Sequence, residues 1–310
     1  MKPGRKIAVI DMGTNTFHLL IGDEQGNVIL KEKVSVKIGQ GGISQGIINP
    51  LACERAINTL KSFKSTIELY NITEIYATAT SAIRSAANGQ LLVDDIYKET
   101  GIEVKVISGE KEAEYIYYGV RSAVDMGEET SLVVDIGGGS VEFIICNHKK
   151  ILWKGSFEIG AQRLVDKFHT EDPMPLKNTK LLEEFVESQI QPLIEATNKY
   201  KPETLVGSSG TFDTLSEIDN QQHGRIFLPD QEKEYSMDLA TYHKLHQEIV
   251  RANRKERMQI EGMIPMRVDM IVVACCLINY LLKRLSLTKI RVSTYSLKEG
   301  VLDRVLAGVL

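Results

Sequence analysis

Val134-Asp135-Ile136-Gly137-Gly138-Gly139-Ser140-Val141-Glu142 places an acid at the end of an apolar run, then a glycine-rich tip, then a second apolar run that reaches Cys146. Ser131 to Val134 and Phe143 to Cys146 read as two strands, since short β-branched and aromatic runs bounded by turn residues favour a hairpin. The same arrangement opens the chain. Ile10-Asp11-Met12-Gly13-Thr14-Asn15-Thr16 follows an apolar run from Lys6 and precedes another from Phe17 to Ile21. Two acid-tipped hairpins imply two similar half-chains facing one cleft, with the polar connection Val124 to Thr130 as the boundary between them.

The segments after each hairpin alternate between strand and helix patterns. In the first half, Val28 to Ile38 alternates like a strand, Gly39 to Gly46 reads as a flexible stretch, and Pro50 to Phe63 has helical periodicity with Pro at a first helical position. Ile72 to Ala77 and Val104 to Ile107 then read as strands, with helical stretches from Ser81 and from Lys111 to Ser122. In the second half, Ile151 to Phe157 and Thr204 to Val206 read as strands, and Leu176 to Lys199 as a helix that Pro192 kinks or breaks. Leu239 to Arg251, Val268 to Leu285 and Leu297 to Leu310 complete the helices, with a strand at Ile290 to Val292. The fold class is therefore α/β, and 310 residues are enough for two domains with a core each.

Composition narrows the function classes. A formal net charge of −4 opposes a binder that neutralises nucleic-acid phosphates over a broad basic face, so no nucleic-acid partner is expected. No apolar run reaches the roughly 18 residues of a membrane span, and Met1 to Asp11 leaves no room for a secretory signal, so no membrane partner is expected and the protein reads as cytoplasmic. Cys53, Cys146, Cys275 and Cys276 lack a C-x-x-C spacing and read as buried free thiols. His243 and His246 have no third zinc ligand nearby, and Gly42 to Gly46 matches G-x-S-x-G only in a flexible stretch.

The turns Gly13 to Thr16, Gly137 to Ser140 and Gly207 to Thr211 suit a phosphate, because glycine admits close backbone approach while N–H groups and hydroxyls converge on the anion. Each alone reads equally as a tight turn; together they favour a phosphate site, with Gly207, Ser209, Gly210 and Thr211 as the contacts of the third. Neither a P-loop nor a dinucleotide-binding glycine pattern is present. Asp11 and Asp135 are hard oxygen donors suited to Mg²⁺. Arg84 stands just after a strand and could grip phosphate in bidentate fashion. Glu110, Glu112 and Glu114 crowd the start of a helix, and composition does not choose a base among them.

In order and spacing these motifs resemble the exopolyphosphatase and guanosine pentaphosphate phosphatase family over nearly the whole chain. Asp11 to His18 is similar to its D-x-G-S-N-S-x-[HR], Ala79 to Arg84 to its A-T-S-A-x-R, and Ile107 to Ala113 to its I-S-G-x-E-E-A. D-I-G-G-G-S-x-E is intact at Asp135 to Glu142, and Gly207 to Thr211 resembles a G-x-x-G-T turn. Arg267 and Asp269 stand in the place of an R-x-D, and Ser293 to Gly300 resembles the family's last strand and helix start.

The resemblance implies two actin-like, ribonuclease H-like domains facing a central cleft. Domain I would be residues 1 to 124 with about 297 to 310, and domain II residues 125 to 296. It implies a hydrolase that releases terminal orthophosphate from inorganic polyphosphate or guanosine pentaphosphate with Mg²⁺ as cofactor, and a homodimer. Carried over by position, Glu112 activates water, and Asp135 and Glu142 support Mg²⁺ and that water. Asp11 sits beside the metal, and Asn15, Thr16, Arg84, Gly137, Gly138 and Ser140 bind phosphate. The competing expectations are an ATP-dependent kinase of the same fold and a non-catalytic sensor of guanosine polyphosphates. Departures from the pattern are Lys111 for the first of the paired acids, Thr14 and Thr16 for serines, and Lys298 for arginine. Lys111 would either weaken Glu112 as a base or anchor a phosphate chain.

Overall fold

A computed structural model describes residues 4–225 and 232–310. The chain forms two compact units, Met1–Gly119 with Leu297–Leu310, and Val120–Ser296.

In the first unit, β1 (Lys6–Met12), β2 (Thr16–Asp23) and β3 (Val28–Ser35) form an antiparallel meander. α1 (Pro50–Leu69) follows, started by Asn49, whose side chain accepts the Leu51 N–H, and by Pro50 in the first turn. β4 (Glu74–Ala79), α2 (Ser81–Ser85), α3 (Gly89–Thr100), β5 (Val104–Val106) and α4 (Gly109–Ala123) complete it, and the division between the units falls inside α4. The sheet order is β3-β2-β1-β4-β5, with β4 parallel to β1 and β5 parallel to β4. Ala8, Ile10 and Met12 join the core that α1 and α3 cover, while Ile7 and Val9, also buried, point the other way. A strand buried on both faces needs cover on both, and the C-terminal helix, which packs on β1 and β2, contributes it.

The second unit repeats the plan. β6 (Ser131–Ile136), β7 (Val141–Cys146) and β8 (Ile151–Phe157) form the meander. α5 (Ala161–Phe168), α6 (Leu176–Gln189) and α7 (Gln191–Tyr200) follow, then β9 (Thr204–Ser208) and α8 (Gly210–Gln222). β10 (Glu234–Met237), α9 (Leu239–Arg251), α10 (Arg254–Arg257), α11 (Met270–Arg284) and β11 (Lys289–Ser293) lead to α12 (Leu297–Leu306), the C-terminal helix of the first unit. In the sheet order β10-β11-β9-β6-β7-β8, the run β8-β7-β6-β9-β11 matches β3-β2-β1-β4-β5 in order and sense. Each unit thus has the ribonuclease H-like, actin-like topology. Val272 to Ile278 are buried without a break, so α11 lacks a polar stripe, and α5, α6 and α9 enclose it.

The break expected at Pro192 is present: Leu176 to Lys199 is two helices, because Pro192 can sit in the first turn of α7 but not inside a continuous helix. Other elements depart from the sequence reading. The flexible Gly39 to Gly46 contains a 3₁₀ turn at Ile43–Gln45. α3, α5, α8 and β10 were not anticipated as separate elements; α8, GTFDTLSEIDNQQ, is too polar for its periodicity to stand out.

α12 crosses α4 at a glycine. A Cβ on Gly300 would lie 1.8 Å from the Tyr115 carbonyl oxygen. Gly300→Ala should therefore separate the helices and cost about 1–3 kcal/mol, the range for overpacking. A urea midpoint equal to that of the wild type would show that the two helices yield freely at this crossing.

Candidate functional site

The hairpin of β6 and β7 sets Asp135 directly across from Glu142, as that of β1 and β2 sets Asp11 across from His18. Between Asp135 and Glu142, the carbonyls of Gly137, Gly138 and Gly139 all point back to the segment after β8. Ala161 N donates to Gly137 O at 2.9 Å, Gln162 N to Gly138 O at 2.9 Å and Gly160 N to Gly139 O at 3.2 Å. Arg163 Nε adds a second donor to Gly139 O at 2.9 Å. The N–H groups of Gly138, Gly139 and Ser140 find no acceptor among the described residues. The turn thus presents a concavity of backbone donors, a form suited to an anion. Gly160 has to be glycine, since a Cβ there would lie 2.4 Å from the Gly139 carbonyl carbon.

Asp135 is 5% exposed, and its carboxylate is met by three hydroxyls. Ser208 Oγ donates to Oδ2 at 2.6 Å, Ser209 Oγ lies 2.8 Å from Oδ1 and 2.9 Å from Oδ2, and Ser296 Oγ donates to Oδ2. Glu142, also buried, accepts a 2.7 Å hydrogen bond from Ser156 on the neighbouring β8.

The third turn joins this site at the end of β9. Ser209 caps α8 with φ +72°, an unusual value for a residue with a side chain, and the helix begins at Gly210. Gly210 lies under the guanidinium of Arg267, so a Cβ there would stand 2.2 Å from Nη2. Arg267 is itself buried, and its Nε meets no hydrogen-bond acceptor among the described residues. Burial pulls its pKa below the ordinary arginine range, opposed by the charges of Asp213 and Asp135. A buried cation over a helix N-terminus is a second anion-seeking feature beside the first. Thr211 lies in the first turn of α8, with Gly207 at the end of β9 against the Phe212 ring.

In the first unit, Asn15 and Thr16 lie in the matching turn, both buried. It too is braced through its carbonyls: Gly39 N donates to Thr14 O at 3.0 Å and Lys37 N to Asn15 O at 2.9 Å. Asp11 lies on β1 beside Thr78 of β4. Arg84 and Glu112 form an ion pair, Nη1 to Oε2 at 2.8 Å, with side chains 20% and 9% exposed. Arg84 Nη1 also donates to Ile107 O at 3.1 Å. Glu112 stands in the first turn of α4, whose backbone starts from Ser108. The neighbouring Lys111 turns elsewhere: its ammonium lies 2.9 Å from Glu114 and 4.8 Å from the centre of the Tyr115 ring, and Glu114 raises its pKa.

A family model described as the Ppx/GppA phosphatase family matches residues 21–308. The chain belongs to the Ppx/GppA phosphatase family. The family is one of phosphoanhydride hydrolases. The exopolyphosphatase of Cytophaga hutchinsonii shares 46% identity, with 99% of each chain covered and a TM-score of 0.95. The Ppx/GppA family member of Aquifex aeolicus shares 27% identity, with 99% of each chain covered and a TM-score of 0.81. Exopolyphosphatase 1 of Mycobacterium tuberculosis is 24% identical over 306 residues, 97% of this chain and 88% of that protein.

Within this Ppx/GppA fold, Gly160 and Arg163 are site neighbours outside every motif, while Ser208 and Ser296 lie inside two of the motifs without an assigned role. Gly160 carried the same signal as the three turns, a glycine shortly after a strand. Arg267 stood in the R-x-D motif without an assigned role. Its segment is anchored by Arg257, fully buried, whose Nε donates to Val268 O at 2.9 Å and whose Nη1 lies 2.8 Å from Asp172. Among the described residues, no helix is long and apolar enough to cross a membrane.

Burial raises the Asp172 carboxyl, but the Arg254 N–H, Arg257 and His169 outweigh it and hold the group below the ordinary carboxylate range. A depressed carboxyl stabilises the fold above the unfolded-state pKa, and the contribution is lost as pH falls through the folded value. Asp172→Asn should cost about 1–3 kcal/mol at neutral pH, less than a fully buried pair because Asp172 is partly exposed. Denaturation at several pH values checks this: the gap between wild type and variant should begin to narrow below about pH 4 and vanish only below the depressed folded value, and a gap that does not narrow as the pH falls would rule out the ionic origin.

Proposed function

We propose that this protein is an exopolyphosphatase-type phosphohydrolase that releases terminal orthophosphate from inorganic polyphosphate, with guanosine pentaphosphate as a second substrate of the same anhydride chemistry. The observation that carries the reading is the Gly137–Ser140 turn, whose outward N–H groups lie between the buried carboxylates Asp135 and Glu142. Three backbone donors match the non-bridging oxygens of a terminal phosphoryl group, whose negative charge they stabilise as the anhydride breaks.

In this reading Glu112 accepts a proton from the attacking water. The water oxygen bonds to the terminal phosphorus, the bond from phosphorus to the bridging oxygen breaks, and the chain leaves shorter by one phosphate. In the same reading Arg84, paired with Glu112 at 2.8 Å, supplies a guanidinium to phosphoryl charge. Asn15, Thr16, Gly137, Gly138, Ser140 and the Gly207–Thr211 turn bind phosphate oxygens, and Arg267 adds its buried charge at that third turn.

Asp11, Asp135 and Glu142 would hold Mg²⁺. Their donor chemistry fits: all are carboxylates, and Asp135 Oδ1 carries a single hydroxyl donor where Oδ2 carries three. Mg²⁺ takes one or two protein carboxylates and completes its shell with water and phosphate, so it needs no larger protein cluster. When bound it offsets phosphate charge. The four cysteines, all free, suit a reducing compartment, and we place the protein in the cytoplasm.

Phosphate release from polyphosphate and from guanosine pentaphosphate, with and without a chelator, tests the reading. Glu112→Gln should lower kcat by about 10²–10⁴-fold, the span of general-base catalysis, and chelation of Mg²⁺ should stop release. Full activity in Glu112→Gln would remove Glu112 from the mechanism. Folded wild type that releases phosphate from neither substrate would overturn the function itself.

A further inference from the structure

The phosphate turn of the second unit owes its orientation to a residue outside every motif of the sequence. In a trans peptide the C=O and N–H point in opposite directions. The carbonyl of Gly139 and the N–H of Ser140 belong to one such unit, so whatever holds that oxygen aims that N–H. The oxygen has two donors, Gly160 N at 3.2 Å and Arg163 Nε at 2.9 Å. Among the described residues, the carbonyls of Gly137 and Gly138 each take one backbone donor, from the start of α5. Arg163 therefore makes the side-chain bond of the brace, and it is a charged one, stronger than a neutral amide bond. A donor on the carbonyl oxygen also polarises the N–H at the other side of the same peptide, which makes it a better donor in turn. Arg163 is fixed for this task. Its Nη2 lies 2.6 Å from Glu158, and its side chain is 20% exposed.

We propose that Arg163 is a positioning residue for phosphoryl capture: it fixes and polarises the Gly139–Ser140 peptide, so that the Ser140 N–H meets the terminal phosphoryl group of a phosphoanhydride. Glu158 assists by holding the guanidinium at Nη2 while Nε meets the Gly139 carbonyl. The inference rests on the reading of this turn as a phosphate site. It assigns Arg163 no contact with substrate, and its effect passes through the peptide.

The test compares wild type, Arg163→Ala, Arg163→Lys, Glu158→Gln and Ser140→Ala for kcat and KM on polyphosphate, inhibition by inorganic phosphate, and thermal midpoint. Arg163→Ala should lower kcat at least tenfold per folded molecule and weaken phosphate inhibition. Arg163→Lys, which keeps the charge without the fork, should fall between it and wild type. The double variant Arg163→Ala with Ser140→Ala should lose less than the product of the two single losses, because both act on one turn. A role confined to stability would lower the midpoint and leave kcat per folded molecule and phosphate inhibition unchanged; that result overturns the proposal. If Arg163→Ala does not fold, Arg163→Lys and Glu158→Gln decide, and kcat within twofold of wild type in both overturns it. Folded wild type that inorganic phosphate does not inhibit would instead overturn the reading of the turn.

Discussion

A carboxylate as deeply buried as Asp135 is stable only where the protein replaces the hydrogen bonds of water, and here three serines do so. They come from separate stretches of the chain. Ser208 ends β9, Ser209 caps α8 and Ser296 follows β11, so satisfying one side chain draws together the ends of β6, β9 and the last crossover of the second unit. The glycine turn after β6 and the helix start after β9 are brought to one place by that demand. A buried cation, Arg267, then lies over Gly210 with Asp135 and Asp213 as its electrostatic counterweights.

The same logic governs the turns. Glycine allows the chain to bend sharply, but it does not say which way the peptide planes face. The direction is set by what the carbonyls bond to: the start of α5 for Gly137 to Gly139, and the segment from Lys37 to Gly39 for Thr14 and Asn15. Two units of the same topology thus solve one problem twice, each by folding a later segment onto the carbonyl side of its first hairpin. The second unit adds the charged bond of Arg163, and the first places an Arg84–Glu112 ion pair at the start of α4.

Much of this was legible in the residues. The duplicated acid-tipped hairpins, the alternation of strands and helices, and the break at Pro192 are all written in short windows, because strand pairing across a three- or four-residue tip and proline geometry are local effects. The pairing of Asp135 with Glu142 follows from the hairpin itself. Polar helices were the harder case: in α8 the apolar residues Phe212, Leu215 and Ile218 stand among polar ones, and its existence depends on packing against β9 and α9.

The sequence by itself determined the α/β class, the two repeated units, the family and the residue types that gather at each turn. Tertiary structure alone decided which groups surround them. Ser296 lies 161 residues from the Asp135 it caps, Arg84 lies 28 from Glu112, and Lys111, next to Glu112 in the chain, turns to Glu114 instead. Hydrogen bonds and ion pairs form between neighbours in space, and no local pattern records which distant segment the folded sheet will bring alongside.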